Sequence, residues 1–253
     1  MFKRSLAMAY GLGSYAVFLG VFLYAIGFIG NILVPKSIDA APEASFGTAL
    51  LINLGLLTLF AVQHSGMARP AFKRWWTRIV PRPLERSTYV LLSSLALIAL
   101  FAFWQPMGGV VWHVEGELAR AMILGVYFLG WGVVLLATFL INHFDLFGLR
   151  QAWLHFVGQE YTRLKLEEPL LYRYVRHPLY VGWLMVFWAA PTMTLAHLVF
   201  ALVTTVYILV AIQWEERDLV NEHGRAYEEY RRRVPMLIPR FRSSRAVAAR
   251  DAA

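Results

Sequence analysis

The chain has no cysteine, which excludes disulfides, thiolate metal sites and a cysteine nucleophile. Charge is scarce as well: 16% of the 253 residues are charged, whereas 58% are hydrophobic. Soluble domains run at about 45–50% apolar, so the excess argues for a chain embedded in a membrane. Lys and Arg are absent from residues 105–118, and residues 35–45 hold only Lys36. No internal repeat stands out, and the one biased tract is the Ala/Arg/Ser-rich end after Phe241, expected to be disordered over 242–253. The N-terminus does not read as a cleavable signal, because the apolar run behind Lys3 and Arg4 far exceeds the about 7–15 residues of a signal core.

What the chain has instead is long uncharged windows. A helical bilayer crossing takes about 20 apolar residues, and residues 9–34, 46–63, 88–104 and 119–141 each supply one. A last apolar block, 178–214, is too long for one helix and is interrupted at "AAPTMT". Pro191 lacks a backbone donor and clashes with the preceding turn, so the chain is expected to reverse there. The block reads as a hairpin of a short helix, 179–190, and a longer one, 194–214. The short arm must tilt, kink or borrow interfacial residues to complete its crossing. The expected fold is all-α: a polytopic integral membrane bundle of four spans plus a C-terminal helical hairpin, five to six transmembrane helices in all, with a cytoplasmic C-terminal helix. It forms a single domain, with the four spans in 1–145 and the hairpin and tail in 168–239.

Orientation follows from the basic loops. Lys3 and Arg4 precede the first span, residues 69–86 carry Arg69, Lys73, Arg74, Arg78, Arg82 and Arg86, and residues 150–176 and Arg231–Arg233 are basic too. Both termini are therefore expected on the cytoplasmic side, in a bacterial inner membrane. The formal charge of +8 reads as a topology signal and an attraction to anionic membrane lipid. A nucleic acid partner is not expected, and neither is an obligate protein partner.

If the last block is a hairpin, "RYVRHPLYVGW" (173–183), which enters it, and "QWEERD" (213–218), which leaves it, lie on one face, and His177 can approach Glu215. The order Arg176-His177-Pro178-x-Tyr180-x-Gly182, then Glu215-Glu216, then Gly224-x-x-Tyr227-x-x-Tyr230 and Val234-Pro235 resembles the signature of the isoprenylcysteine carboxyl methyltransferase superfamily. Those are integral membrane enzymes that use S-adenosylmethionine. Upstream, "QHSGMARPAFKRWW" (63–76) and "NHFDLFGLRQAW" (142–153) are similar to the bacterial methanethiol S-methyltransferases, so the resemblance extends over most of the chain.

The resemblance implies S-adenosylmethionine as cofactor and a small thiol, methanethiol, as acceptor, with dimethyl sulfide as product. Arg176 then suits the cofactor's carboxylate through a charge-assisted fork. Glu215 or Glu216 suits its ribose hydroxyls or amino group, and Tyr180 offers a hydroxyl and an aromatic face. His177, held extended by Pro178, keeps its ring nitrogens free for polar contact. Gly182 allows close approach of the cofactor or of a neighbouring helix. Tyr227 and Tyr230 belong to a tail helix that either closes the cofactor pocket or lies on the interface as an amphipathic helix. Each of these residues also has a plain interfacial reading: snorkelling for Arg176 and His177, the aromatic belt for Tyr180, and an intrahelical ion-pair set for Glu215-Glu216-Arg217.

A thiol acceptor must be ionised, since even a cysteine thiol with pKa about 8.5 is only a few per cent thiolate at neutral pH. His64, His143 and Asp145 are the candidate catalytic residues: each histidine closes a span on the cytoplasmic side, and Asp145 stands two residues from His143, where it is expected to orient the imidazole. Arg69 and Arg150 are the candidates for binding the acceptor and lowering its pKa. No metal site is expected. His113, His155, His197 and His223 have weaker positional claims, His113 and His197 lying toward the other face. Two other readings stay open: a methyltransferase for a larger prenylated or lipid-like acceptor, and a haem-binding membrane isomerase-like protein in which His64 and His143 would ligate the iron. A non-enzymatic membrane scaffold is the third.

Overall fold

The structure is a computed structural model and describes residues 1–239; the tail expected to be disordered, 242–253, lies outside the described residues. The elements run α1 (Phe2–Gly30), α2 (Phe46–Ala68), α3 (Pro70–Trp76), α4 (Arg82–Phe103), β1 (Val110–His113), α5 (Glu117–Ile141), α6 (His143–Leu146), α7 (Leu149–Val157), a 3₁₀ turn (Leu170–Arg173), α8 (Pro178–Trp188), β2 (Thr192–Thr194), α9 (Leu195–His223) and α10 (Arg225–Arg233). Among the described residues, α1, α2, α4, α5 and α9 are long and apolar enough to cross a membrane. The chain is an integral membrane helical bundle.

Local chemistry sets the helix starts. Ser45 accepts a hydrogen bond from the Thr48 amide and Thr194 one from the His197 amide, capping α2 and α9, while α3 and α8 begin on Pro70 and Pro178, where no amide is needed. The helices pack through one aromatic core that includes Phe28, Trp104, Tyr127, Trp131, Phe187 and Phe200.

The chain does fold back after α8, but not as two helices joined by a turn. α8 has 11 residues, about 16 Å of rise. The chain then leaves the helix through a tight turn at Ala189, where the Ala190 amide donates back to Trp188 O at 3.0 Å, and a bend at Pro191 before the strand β2. The helix alone is about half the roughly 32 Å of α9 between Leu195 and Glu216, so the short arm changes secondary structure before it meets α9. The extended piece keeps its backbone satisfied by pairing β2 antiparallel with β1, Trp112 opposite Met193 and His113 opposite Thr192. The Val114 amide donates to Pro191 O at 3.0 Å and the Trp112 indole to Ala190 O at 3.0 Å. The expected helix over 179–190 is therefore shorter, and α9 runs past Trp214 to His223, which puts Glu215 and Glu216 inside a continuous helix.

Three loops gather on the face opposite the N-terminus. The Trp104 indole donates to Ile38 O at 3.1 Å, and Asp39 accepts from the Thr194 hydroxyl and from Asn31 Nδ2 while facing His197 Nδ1 at 3.3 Å. On the N-terminal face, Arg86 Nε donates to Leu146 O at 2.7 Å and Arg69 pairs with Asp218 at 2.9 Å.

α8 lies closely against α5, with Gly182 against Gly130. A Cβ at Gly182 would stand 2.8 Å from both Gly130 O and Val134 Cγ2. Overpacking of this kind costs about 1–3 kcal/mol, so Gly182→Leu is expected to lower the thermal midpoint in detergent. Gly13→Leu, where a Cβ meets open space, should leave it unchanged. Equal midpoints for the two variants would contradict this packing.

Candidate active site

The fold-back brings the first turn of α8 onto the last third of α9, and the polar residues of both flanks meet there. Arg176 Nε and His177 Nε2 both donate to Glu216 Oε1, at 2.7 and 3.0 Å. Glu216 is only 8% exposed, so its charge is neutralised by direct contacts rather than by water. Arg176 Nη1 donates to Arg231 O at 3.0 Å and Val234 O at 2.6 Å. The backbone amides of Arg176 and His177 donate to Pro235 O and Met236 O, at 2.9 and 3.2 Å. One arginine thus ties α9 and the chain after α10 to the mouth of α8. One residue earlier on α9, Glu215 Oε2 accepts from the Tyr180 hydroxyl at 2.9 Å.

Gly224 turns the chain from α9 into α10 with φ +57°, a backbone region that glycine enters without strain. The turn returns Tyr227 and Tyr230 to the cluster, where they are buried with Val234 against Leu166 and Leu219. The Tyr230 hydroxyl donates to Tyr172 O at 2.7 Å. The Tyr227 hydroxyl is buried with no hydrogen-bond partner among the described residues. Burial, and then the nearby Glu216 carboxylate, push this phenol well above its ordinary pKa, so at neutral pH it is a protonated donor lacking an acceptor. An orphaned donor beside a carboxylate pair and a guanidinium fits a ligand carrying both acceptors and a positive charge, as S-adenosylmethionine does. Pro178 is buried beneath this cluster as the first residue of α8, and Gly182 faces α5 instead of the cluster.

The acceptor-side candidates separate into three places. His64 lies between α2 and α4: its Nδ1 is 3.2 Å from Ser93 Oγ, Tyr89 Oη is 3.0 Å from both ring nitrogens, and the ring stacks on Phe60 at 5.1 Å. One residue on, Ser65 Oγ pairs with Tyr207 Oη of α9 at 2.9 Å. Arg69 continues this contact outward, bridging to Asp218 of α9 and lying over Trp214. His64 therefore stands on the helix facing the one that carries Glu215.

His143 and Asp145 do not pair. His143 is buried in an aromatic box, stacked on Phe139 at 4.3 Å, with Nε2 2.8 Å from Tyr15 Oη and Nδ1 2.9 Å from Thr138 Oγ1. Asp145 points elsewhere, accepting from Arg150 Nη1 at 2.8 Å. Arg150 also donates to Thr162 O and Thr162 Oγ1, at 2.9 and 2.7 Å, and lies over the Tyr161 ring. Arg150 and Asp145 thus fasten the loop between α7 and the 3₁₀ turn.

Burial holds the His143 imidazole below its usual pKa. The folded protein keeps it neutral where the unfolded chain takes a proton at about 6.5, so stability falls as pH drops through that value. The melting temperature is expected to decline between pH 7.5 and 5.5, with a shallower decline in His143→Asn. An unchanged slope in the variant would assign the pH dependence to other groups.

Tyr207, Ser65, Tyr89 and Ser93 were not singled out by sequence. Their one signal is a polar side chain inside an otherwise apolar run, which marks a residue turned toward the bundle interior rather than toward lipid.

A membrane-spanning bundle that gathers a buried carboxylate, a second carboxylate beside it, a guanidinium and phenols at the root of one hairpin defines a polytopic membrane enzyme. The chain is 58% identical over 237 residues to methanethiol S-methyltransferase of Crocosphaera subtropica, covering 94% of this chain and 93% of that protein. It is 53% identical over 237 residues to methanethiol S-methyltransferase of Mycobacterium tuberculosis, covering 94% and 97%. Nurim of Sus scrofa is more distant, 32% identical over 188 residues and 71% of each chain. The protein belongs to the methanethiol S-methyltransferase family. No family model and no solved structure matches the chain.

Proposed function

We propose that the protein methylates methanethiol to dimethyl sulfide with S-adenosylmethionine as donor, at the cytoplasmic face of a bacterial inner membrane. Near-full-length identity to named methanethiol S-methyltransferases supports the acceptor. The observation that carries the donor site is the convergence of Arg176, His177 and Glu216 at the root of the hairpin, beside the unpartnered Tyr227 hydroxyl. The orientation is supported by charge: the N-terminal face holds the basic segments, whereas the opposite end carries Lys36 and Arg120.

When bound, S-adenosylmethionine supplies a methyl group on a sulfonium sulfur, whose C–S bond breaks as a thiolate forms a new one in line. Glu215, whose rotamer Tyr180 fixes, sets a negative field that favours the sulfonium and ammonium groups, while Glu216 holds Arg176 and His177 in place. Arg176 and the Tyr227 hydroxyl donate to the ligand's carboxylate and ribose oxygens. His64 takes the proton of the acceptor thiol, with Tyr89 and Ser93 holding its ring.

Calorimetric titration of the detergent-purified protein with S-adenosylmethionine tests this reading. Saturable binding is expected, and Tyr227→Phe should weaken it about tenfold, the loss of one hydrogen bond to a charged or strongly polar acceptor. Absence of any binding heat across the millimolar range would sink the proposal.

A further inference from the structure

The geometry points to a holding site for the acceptor in a recess between α2 and α9, entered sideways from the bilayer and sized for a thiol of few heavy atoms. This inference rests on the methyltransferase reading above and adds where the acceptor waits and what limits its size. The recess has a volume of about 120 Å³ and is lined by Leu57, Phe60, Ala61 and Val203 together with the hydroxyl-bearing Thr58, Thr204 and Tyr207. The Thr204 hydroxyl is turned back onto Phe200 O at 2.6 Å, so that wall offers an apolar surface. The polar end is the Tyr207 hydroxyl, paired with Ser65. Phe60 forms the wall toward His64, on which its ring stacks.

Three features suit a small thiol. The lining is mainly apolar with a few hydroxyls, which matches a molecule with a methyl group and a weakly polar S–H. Size comes second: an apolar protein cavity of about 150 Å³ holds benzene, with six heavy atoms, so this one takes in a short alkanethiol whole, whereas a longer chain must leave its tail in the bilayer. Access is the third. The most apolar window of α2 is only 17% buried, against 33–39% for the other spans, so α2 is the loosest wall of the bundle. The neighbouring Leu59, Val62 and Val206 are exposed and face the lipid, where an apolar thiol partitions.

The recess also leads toward the site. Tyr207 precedes Glu215, the partner of the Tyr180 hydroxyl, by about 12 Å along α9. A thiol leaving the recess therefore passes the Ser65–Tyr207 pair, with His64 one residue away on α2.

The test measures methyl transfer at saturating S-adenosylmethionine with methanethiol, ethanethiol and butanethiol. Ala61→Phe and Val203→Phe fill the recess and should raise KM for methanethiol at least tenfold, with the calorimetric dissociation constant for S-adenosylmethionine unchanged. Leu57→Ala enlarges it and should move the kcat/KM ratio of butanethiol over methanethiol at least tenfold toward butanethiol, since a methylene in such a pocket changes discrimination about 10-fold or more. If the filled variants fail to fold, the Leu57→Ala ratio decides alone. Wild-type KM in folded filled variants, or an unmoved ratio in Leu57→Ala, would overturn the site while leaving the proposed reaction standing. Failure of the wild-type protein to bind S-adenosylmethionine would instead remove the reading on which it rests.

Discussion

Glu216→Ala is expected to abolish S-adenosylmethionine binding and to destabilise the fold at the same time. The Glu216 carboxylate is the shared acceptor of Arg176 and His177, in a place almost closed to water. Removing one partner of a buried ion pair costs about 3–5 kcal/mol, because the other charge stays buried without compensation. Arg176 retains two backbone carbonyls, which argues for the lower end of that range. For a chain of this size about 3 kcal/mol corresponds to a fall of roughly 6–12 °C in the melting temperature. The dissociation constant for S-adenosylmethionine should rise by more than a hundredfold, since Arg176 also holds the chain after α10, and with it Tyr227, in position. Glu216→Gln keeps the shape and one acceptor oxygen, so it should fold better than the alanine variant and still bind poorly. A native melting temperature together with native binding in Glu216→Ala would show that the cluster is not the donor site.

The second large effect is expected at His64. Loss of a general base lowers turnover by about 10²–10⁴-fold, and His64→Gln should do so without changing the affinity for S-adenosylmethionine, because the cluster proposed to bind it belongs to α8, α9 and α10. A merely structural histidine could give the same loss, so the pH profile decides. A thiol ionises unaided as pH approaches its own pKa, about 8.5 for cysteine and similar or higher for simple alkanethiols. The variant should therefore regain rate steeply between pH 7 and 9.5, while the parent enzyme rises much less. Loss that alkaline pH does not recover would assign His64 a structural role, and wild-type turnover at neutral pH would remove it from the mechanism.

Much of this architecture could be read before the structure. The uncharged windows locate α1, α2, α4 and α5, and Pro191 marks the reversal because a proline inside an apolar run has few tolerable settings. The reversal in turn brings Arg176 and His177 onto Glu216, a contact no local pattern contains. The strand pairing was not legible: "VVWH" and "TMT" are too short to carry a period, and their partnership depends on how far α8 climbs. The expected partnership of His143 with Asp145 fails for a local reason. Both lie in the single helical turn of α6, where residues two apart point in different directions, so Asp145 turns to Arg150 and His143 turns into the bundle. Arg69, expected beside the thiol, is drawn to Asp218 by a contact across the sequence. Tyr207 is legible only as a polar side chain turned toward the bundle interior; which residue it meets depends on how α2 packs against α9.

The pairing of β2 with β1 bears on biogenesis. The final hairpin cannot settle alone, because the outward half of its first arm has no helical hydrogen bonds and needs a strand made much earlier in synthesis. The loop carrying β1 must already be in place on the face opposite the N-terminus before α8 and α9 can lock, so the Arg176–His177–Glu216 cluster at their root is among the last parts of the protein to mature. A truncated chain ending before Pro178 should insert its first four spans normally, and substitutions that disrupt residues 110–113 should leave those spans intact while the hairpin remains sensitive to protease.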